Sequence, residues 1–145
     1  MTASRPDTCP CGGASPQAGA AARAPRYAAC CGRFIDGDAF APTALELMRS
    51  RYSAYVLGAN DYLRATWDPR TCPADLDADP DAADAPKWIG LAVKRHQQID
   101  ERHAVVEFVA RYKIGGRAYR LHEVSRFEKG TDDRWRYVDG EVTER

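Results

Sequence analysis

The most constraining feature of the chain is a Gly115-Gly116 pair set between two runs of alternating apolar and polar residues. Before it, AVVEFVARYKI places Val106, Phe108, Ala110 and Tyr112 on one side and Glu107, Val109 and Arg111 on the other. After it comes RAYRLHEVSRF. Alternation at a period of two marks a half-buried strand, and paired glycines supply the positive φ angles of a tight hairpin. A second turn, EKGTDD, leads to the run RWRYVDG, and WIGLAVKRHQQI is strand-like upstream. Turns this short join antiparallel neighbours, so the C-terminal part is predicted as an antiparallel sheet in meander order.

Helices precede the strands. Thr43 and Glu46 match a capping box, in which the Thr oxygen takes a free N–H and the Glu reaches back to the cap. Leu45, Met48, Tyr52, Tyr55 and Val56 recur at helical spacing on one face, which Arg49 and Arg51 leave. Gly58 is placed to end this helix. Asn60 is read as the cap of a shorter helix carrying Tyr62, Leu63 and Trp67 and ended by Pro69. Residues 73–86 hold five Asp and no basic residue, and read as a solvated, mobile loop without calcium-loop spacing. Helices followed by strands give an α+β class. A length of 145 residues suits one domain with a small appendage. Basic and acidic residues both number 21, and this zero net charge excludes attachment to nucleic acid by bulk charge. No apolar run approaches the ~18 residues of a membrane span.

The sharpest chemistry lies near the N-terminus. Cys9 and Cys11 form Cys-Pro-Cys-Gly, and eighteen residues later Cys30 and Cys31 form Cys-Cys-Gly. The first ten residues carry no apolar signal stretch, so a cytoplasmic, reducing location is expected, where disulfides are rare. Thiolates are soft ligands that suit tetrahedral zinc, and a site with four protein ligands has no open position. One structural zinc per chain, held by Cys9, Cys11, Cys30 and Cys31, is therefore the first reading. A redox-active pair at Cys30 and Cys31, or four inert thiols, are the alternatives. The Ala-, Gly- and Pro-rich stretch between the pairs reads as a flexible loop closed by the metal. Cys72, the fifth cysteine, reads as an unliganded thiol beside Pro73.

Taken together, Cys9-Pro10-Cys11-Gly12, Cys30-Cys31-Gly32, Met48-Arg49-Ser50-Arg51-Tyr52, Trp88-Ile89-Gly90-Leu91, Glu123-Val124-Ser125-Arg126-Phe127 and Trp135-Arg136-Tyr137-Val138-Asp139-Gly140 resemble the YchJ-like family. These bacterial proteins join an N-terminal SEC-C zinc motif to an NTF2-like domain, and the resemblance runs from residue 9 to residue 140. It implies a SEC-C-like zinc segment over 1–36 and an NTF2-like domain over 37–145, with a curved sheet wrapped around helices to leave a cone-shaped cavity. It also implies that Cys9, Cys11, Cys30 and Cys31 are the zinc ligands. In the SecA tail that gives the motif its name, the zinc supports binding of the chaperone SecB, so the resemblance implies a protein partner through the zinc segment. A homodimer through the sheet is a further implication. The gap between the cysteine pairs is longer than the motif usually carries, but loop closure costs grow only with the logarithm of length. Residues 132–145 contain no cysteine, so the second zinc motif that some relatives carry at the C-terminus is not expected.

Candidate cavity residues are Glu123, His122 and Arg126 on the third run, with Glu107, Arg111 and Asp139 beside them. Alternation groups Glu123 and Ser125 with Tyr119, Leu121 and Phe127, and sends His122 and Arg126 the other way. Glu123 on a cavity wall would suit acid–base work, or would pair with Arg49 or Arg51 to hold strand and helix together. His96 and His103 flank a charged turn, and Trp67, Trp88 and Trp135 read as core. Arg117, Arg120 and Arg126 with Tyr119 would suit RNA stacking, but Glu123 and Glu128 dilute the charge, so nucleic acid is not expected. The expected function is a zinc-stabilised protein-interaction module; a small-molecule binder or enzyme using the cavity is the alternative, and a thiol-redox protein using Cys30 and Cys31 the second alternative.

Overall fold

The computed structural model describes residues 5–12 and 25–144. The stretch between the cysteine pairs, read above as a flexible loop, lies largely outside the described residues. A 3-10 turn at Tyr27–Ala29 precedes α1 (Gly32–Ile35), α2 (Ala44–Leu57) and α3 (Asn60–Ala65). The strands β1 (Lys87–Gln98), β2 (His103–Ile114), β3 (Arg117–Lys129) and β4 (Trp135–Glu144) then form one sheet in the order β1-β2-β3-β4, all neighbours antiparallel. This is the meander that the turn residues predict. Gly115 and Gly116 have φ of 57° and 81°, as a two-residue hairpin of type I′ demands, and Ile114 pairs with Arg117 across it. Register shifts at Trp88/Gly90, Val93/Arg95 and Arg126/Phe127 interrupt the ladders. Such bulges bend a strand and raise its twist, which curls the sheet over α2.

α2 begins as expected, with Thr43 Oγ1 accepting from the Glu46 N–H at 3.2 Å, and ends on Gly58 at φ 73°. The reciprocal half of the capping box does not form, and Glu46 Oε2 is buried without a partner. The single apolar face predicted for this helix is also incomplete. Ser50, Arg51 and Ser53 are as buried as Leu47, Met48 and Tyr52, because the sheet covers one side of the helix and the cysteine segment and α3 cover the other. Arg51, expected to point away, is only 6% exposed. Its Nη1 donates to Leu63 O at 2.8 Å and to Thr66 Oγ1 at 2.7 Å, and its guanidinium lies on the rings of Trp67 and Tyr137. Those contacts replace the water a charged side chain would otherwise keep.

Further departures come from contacts distant in sequence. Asn60 is the first residue of α3 rather than its cap. Its side chain instead brackets Ala78, accepting from the Ala78 N–H at 2.7 Å and donating to the Ala78 carbonyl at 3.0 Å. Arg64 donates to Leu76 O, so the acidic stretch read as a mobile loop is tied across α3. α3 also stops at Ala65, short of Trp67, because the chain there turns to lie along β4. Tyr137 N–H donates to Thr66 O at 2.9 Å and Asp68 N–H to Tyr137 O at 2.8 Å, which covers part of the outer edge of the sheet.

Candidate metal centre and ligand cavity

Two short segments bring the cysteine pairs together. An antiparallel bridge joins Thr8 to Arg26, with Cys9 N–H donating to Pro25 O and Tyr27 N–H to Asp7 O, both at 2.9 Å. The 3-10 turn and α1 then carry Cys30 and Cys31 back over Cys9 and Cys11. Gly32 fits beneath the Tyr27 carbonyl and ring, where an added Cβ would come within 2.8 Å. The four Sγ atoms lie within 4.8 Å of one another, with Cys9–Cys11 at 3.5 Å and Cys11–Cys30 at 3.6 Å. Sulfurs bound to a tetrahedral zinc at about 2.3 Å stand about 3.8 Å apart, so the donor set fits that ion. Ser53 Oγ, from α2, sits 3.6 Å from Cys9 Sγ, and Arg49 Nη1 donates to Cys11 O.

The electrostatics point the same way. Hydrogen bonds from Cys11 and Cys31 hold the Cys9 thiol far below its ordinary range. At Cys11 the hydrogen bond of Cys31 pulls down, but the hydrogen bond to Cys9, burial and the Cys9 charge together push it up to about 12. Burial raises Cys30, and hydrogen bonds to Cys11 and Cys9 raise Cys31. Without a cation, one thiolate in this cluster suppresses the others; a bound cation relieves that repulsion and releases the protons. Cys31 is 1% exposed and its thiol is not activated, so the geometry does not favour a redox role for the Cys30–Cys31 pair. Cys72 stays outside the cluster, half-buried, with its thiol toward Pro73 O.

On the other side of α2, the concave face of the sheet encloses a cavity of about 320 Å³. Its wall is largely aromatic, formed by Tyr52, Tyr55, Trp67, Trp88, Phe108, Phe127 and Tyr137. Trp67 and Trp88, read above as core, line this space, while Trp135 is the fully packed one. The polar groups in the cavity are Arg51, Glu123 and Ser125 together with the tyrosine hydroxyls. Ser125 Oγ donates to Glu123 Oε2, and the Tyr137 side chain also bonds to Glu123. Gly140 on β4 makes room for this carboxylate, since an added Cβ would fall 2.7 Å from Glu123 Oε2. Burial raises Tyr52 to about 12 and raises Tyr55 and Tyr137 as well.

Of the three cavity candidates in the sequence, Glu123 lines the cavity. His122 and Arg126 lie on the opposite face of the sheet, as the alternation predicts. There His122 Nε2 is hydrogen-bonded to Glu107 at 2.7 Å and Arg126 forms an ion pair with Asp139 at 2.6 Å, both on the surface. His103 closes the β1–β2 turn against Asp100 at 2.8 Å. The expected Glu123 pairing with Arg49 or Arg51 does not form as an ion pair, although the charges of Glu123 and Arg51 influence one another. Arg51 itself escaped the periodicity argument. Its signal was Ser50 and Ser53 flanking it, small polar residues on a helix face that would otherwise be solvated.

The family pattern described as YchJ, middle NTF2-like domain, matches residues 43–140. This chain belongs to the YchJ-like family. A UPF0225 protein of Cupriavidus metallidurans is 54% identical, covering 96% of this chain and 92% of the relative. Another from Chromobacterium violaceum is 56% identical over 92% of each. Two solved structures share the fold. A SEC-C motif containing protein from Rhodopseudomonas palustris superposes with a TM-score of 0.71 at 32% identity, covering 83% of this chain and 94% of that one. One from Psychrobacter arcticus also reaches 0.71 at 33% identity, covering 94% and 82%. The α+β, NTF2-like architecture with an N-terminal cysteine cluster is thus established for the family member described here. No helix among the described residues is long and apolar enough to cross a membrane.

Proposed function

We propose that the protein is a zinc-stabilised binder of a small molecule, with one structural zinc on Cys9, Cys11, Cys30 and Cys31 and the ligand in the cavity between α2 and the sheet. The observation that carries this reading is the cavity itself: an aromatic chamber holding a buried arginine and a braced carboxylate that do not neutralise one another by contact. A side-chain arrangement built only for packing would close such a space with apolar groups. The zinc supplies folding free energy to the N-terminal segment, and all four positions around it are taken by protein, so it leaves no place for substrate. A four-thiolate zinc site survives best where disulfides are rare, which supports a cytosolic location.

The test has two arms. Elemental analysis of protein purified without added metal should return one zinc per chain, and chelation should lower the melting temperature. A fragment screen by ligand-observed NMR should find small-ring binders, and Leu121→Trp, which fills the cavity, should abolish them. Absence of metal, or binders indifferent to Leu121→Trp, would refute the corresponding half.

A protein partner docking beside the zinc segment, on the adjoining 37–41 stretch, is the second reading, and one observation favours it. Phe40, 59% exposed, lies beside a groove of about 490 Å³ between the 37–41 segment and the β3–β4 turn, with the Arg134 guanidinium 3.6 Å from its ring. Phe40→Ser would weaken such a complex and leave fragment binding in the cavity unchanged. A homodimer through the open sheet face would have to cover the His122–Glu107 and Arg126–Asp139 pairs, a costly desolvation.

A further inference from the structure

We propose that the cavity selects a small, electrically neutral planar ring that carries a carbonyl-type acceptor next to an N–H or O–H donor, the edge found in a lactam, an imide or a nucleobase. This rests on the small-molecule reading above and names the chemical class of its ligand.

Three observations lead there. First, Arg51 is a buried cation without a carboxylate inside ion-pair distance among the described residues. Its Nη1 is committed to Leu63 O and Thr66 Oγ1, and Tyr55 also bonds to its side chain. Stacking on Trp67 and Tyr137 fixes the guanidinium plane. Second, Glu123 stands on the facing sheet wall, braced by Ser125 and Tyr137 and seated over Gly140, and cannot swing away to meet Arg51 without breaking those contacts. The two charges are near enough to act on one another and too far apart to touch. Third, the walls between them are aromatic faces, which favour a flat ring.

The charge balance then decides the ligand. An anion on Arg51 would enter a low-dielectric chamber already holding the Glu123 carboxylate, and a cation on Glu123 would do the same against Arg51. A neutral ring meets both: its acceptor takes a hydrogen bond from Arg51 and its adjacent donor gives one to Glu123, with no net charge buried. The volume of about 320 Å³ lies at the small end of ligand pockets, which suits one ring or two fused rings.

The experiment uses the full, zinc-loaded chain and follows the indole N–H signals of Trp67 and Trp88 by two-dimensional NMR. The probes are 2-pyridone, its N-methyl derivative with the donor blocked, benzoate, benzamidine and toluene. 2-Pyridone should bind saturably and at least about tenfold more tightly than the other four, the loss expected when a charged hydrogen-bond partner is left unmet. Glu123→Leu should remove that preference. Glu123→Gln, which keeps the shape and leaves Arg51 as the sole charge, should raise benzoate binding at least about tenfold. A wild-type preference for benzoate or benzamidine would overturn the proposed ligand class while leaving the cavity as a binding site. So would equal binding of toluene and 2-pyridone with no effect of Glu123→Gln. Failure of all five rings to bind would overturn both the ligand class and the small-molecule reading. Should Glu123→Leu fail to fold, the Glu123→Gln arm still decides.

Discussion

The two sides of α2 hold polar atoms in opposite ways. Toward the N-terminal segment, Ser53 meets a cluster of four sulfurs drawn within 4.8 Å of one another. Two residues earlier on the same helix, Arg51 enters a chamber where the charged groups stand apart and are fastened to different layers. Residues two apart on a helix point to different sides, so one helix serves both. As thiolates the four sulfurs would repel one another, and a cation would relieve that repulsion. The cavity holds opposite charges that cannot collapse together because hydrogen bonds and ring faces restrain each one. Convergence leaves no room for a guest beyond an ion; enforced separation leaves room for a molecule.

The largest expected effect comes from breaking the convergent side. Cys31→Ser should abolish stoichiometric zinc and cost about 5 kcal/mol or more in denaturant unfolding of metal-loaded protein, since metal binding and folding are linked there. Arg51→Met should cost less, about 3 kcal/mol, from two charged hydrogen bonds and two ring contacts, with zinc content by elemental analysis unchanged. Loss of zinc in that variant would show that the two sides are one unit. The pH response should separate them further. Protons compete for thiolates, so acid should release the metal, and Cys31→Ser should erase that limb. The alkaline limb belongs to buried tyrosines, those of the cavity together with Tyr62 and Tyr27, which burial also raises. Burial raises Tyr52 from 10.0 to about 12, so its stabilising contribution is complete below pH 10 and is lost as pH rises from 10 to about 12. Tyr55 and Tyr137, raised in the same direction, extend this loss, and unfolding curves recorded across that range should show it in wild type and Cys31→Ser alike. The smallest effect is expected for Ser53→Ala. It removes an outer contact of Cys9 and should weaken zinc by about tenfold in chelator competition while changing stability by less than about 1 kcal/mol.

What was legible in the sequence was what local rules govern. The glycine pair at 115–116 and the Thr43 cap act within a few residues, and the alternation along β3 separates Glu123 and Ser125 from His122 and Arg126 without reference to anything distant. The cysteine cluster was legible because soft-ligand pairs advertise their chemistry. Arg51 was not, because a charged residue on a helix reads as solvated unless the rings that receive it are known, and Trp67 and Tyr137 arrive from elsewhere in the chain. Asn60 was misread for the same reason. Its amide suits a helix cap, yet Ala78 offers it a donor and an acceptor together, and that clasp also explains why an acidic stretch poor in apolar residues is tied down. The bulges that curl the sheet left no mark in the pattern, since shifts of register become visible only when both strands are paired.

The bridge between Thr8 and Arg26 has a practical consequence. It fastens the two arms of the metal site below the sulfurs, so the cysteines keep their alignment whatever number of residues runs from one arm to the other. That makes the intervening stretch a natural splice point. A peptide tag or a binding epitope introduced there would lengthen the connection at a cost of about 0.6 kcal/mol per doubling, and the four sulfurs should still converge.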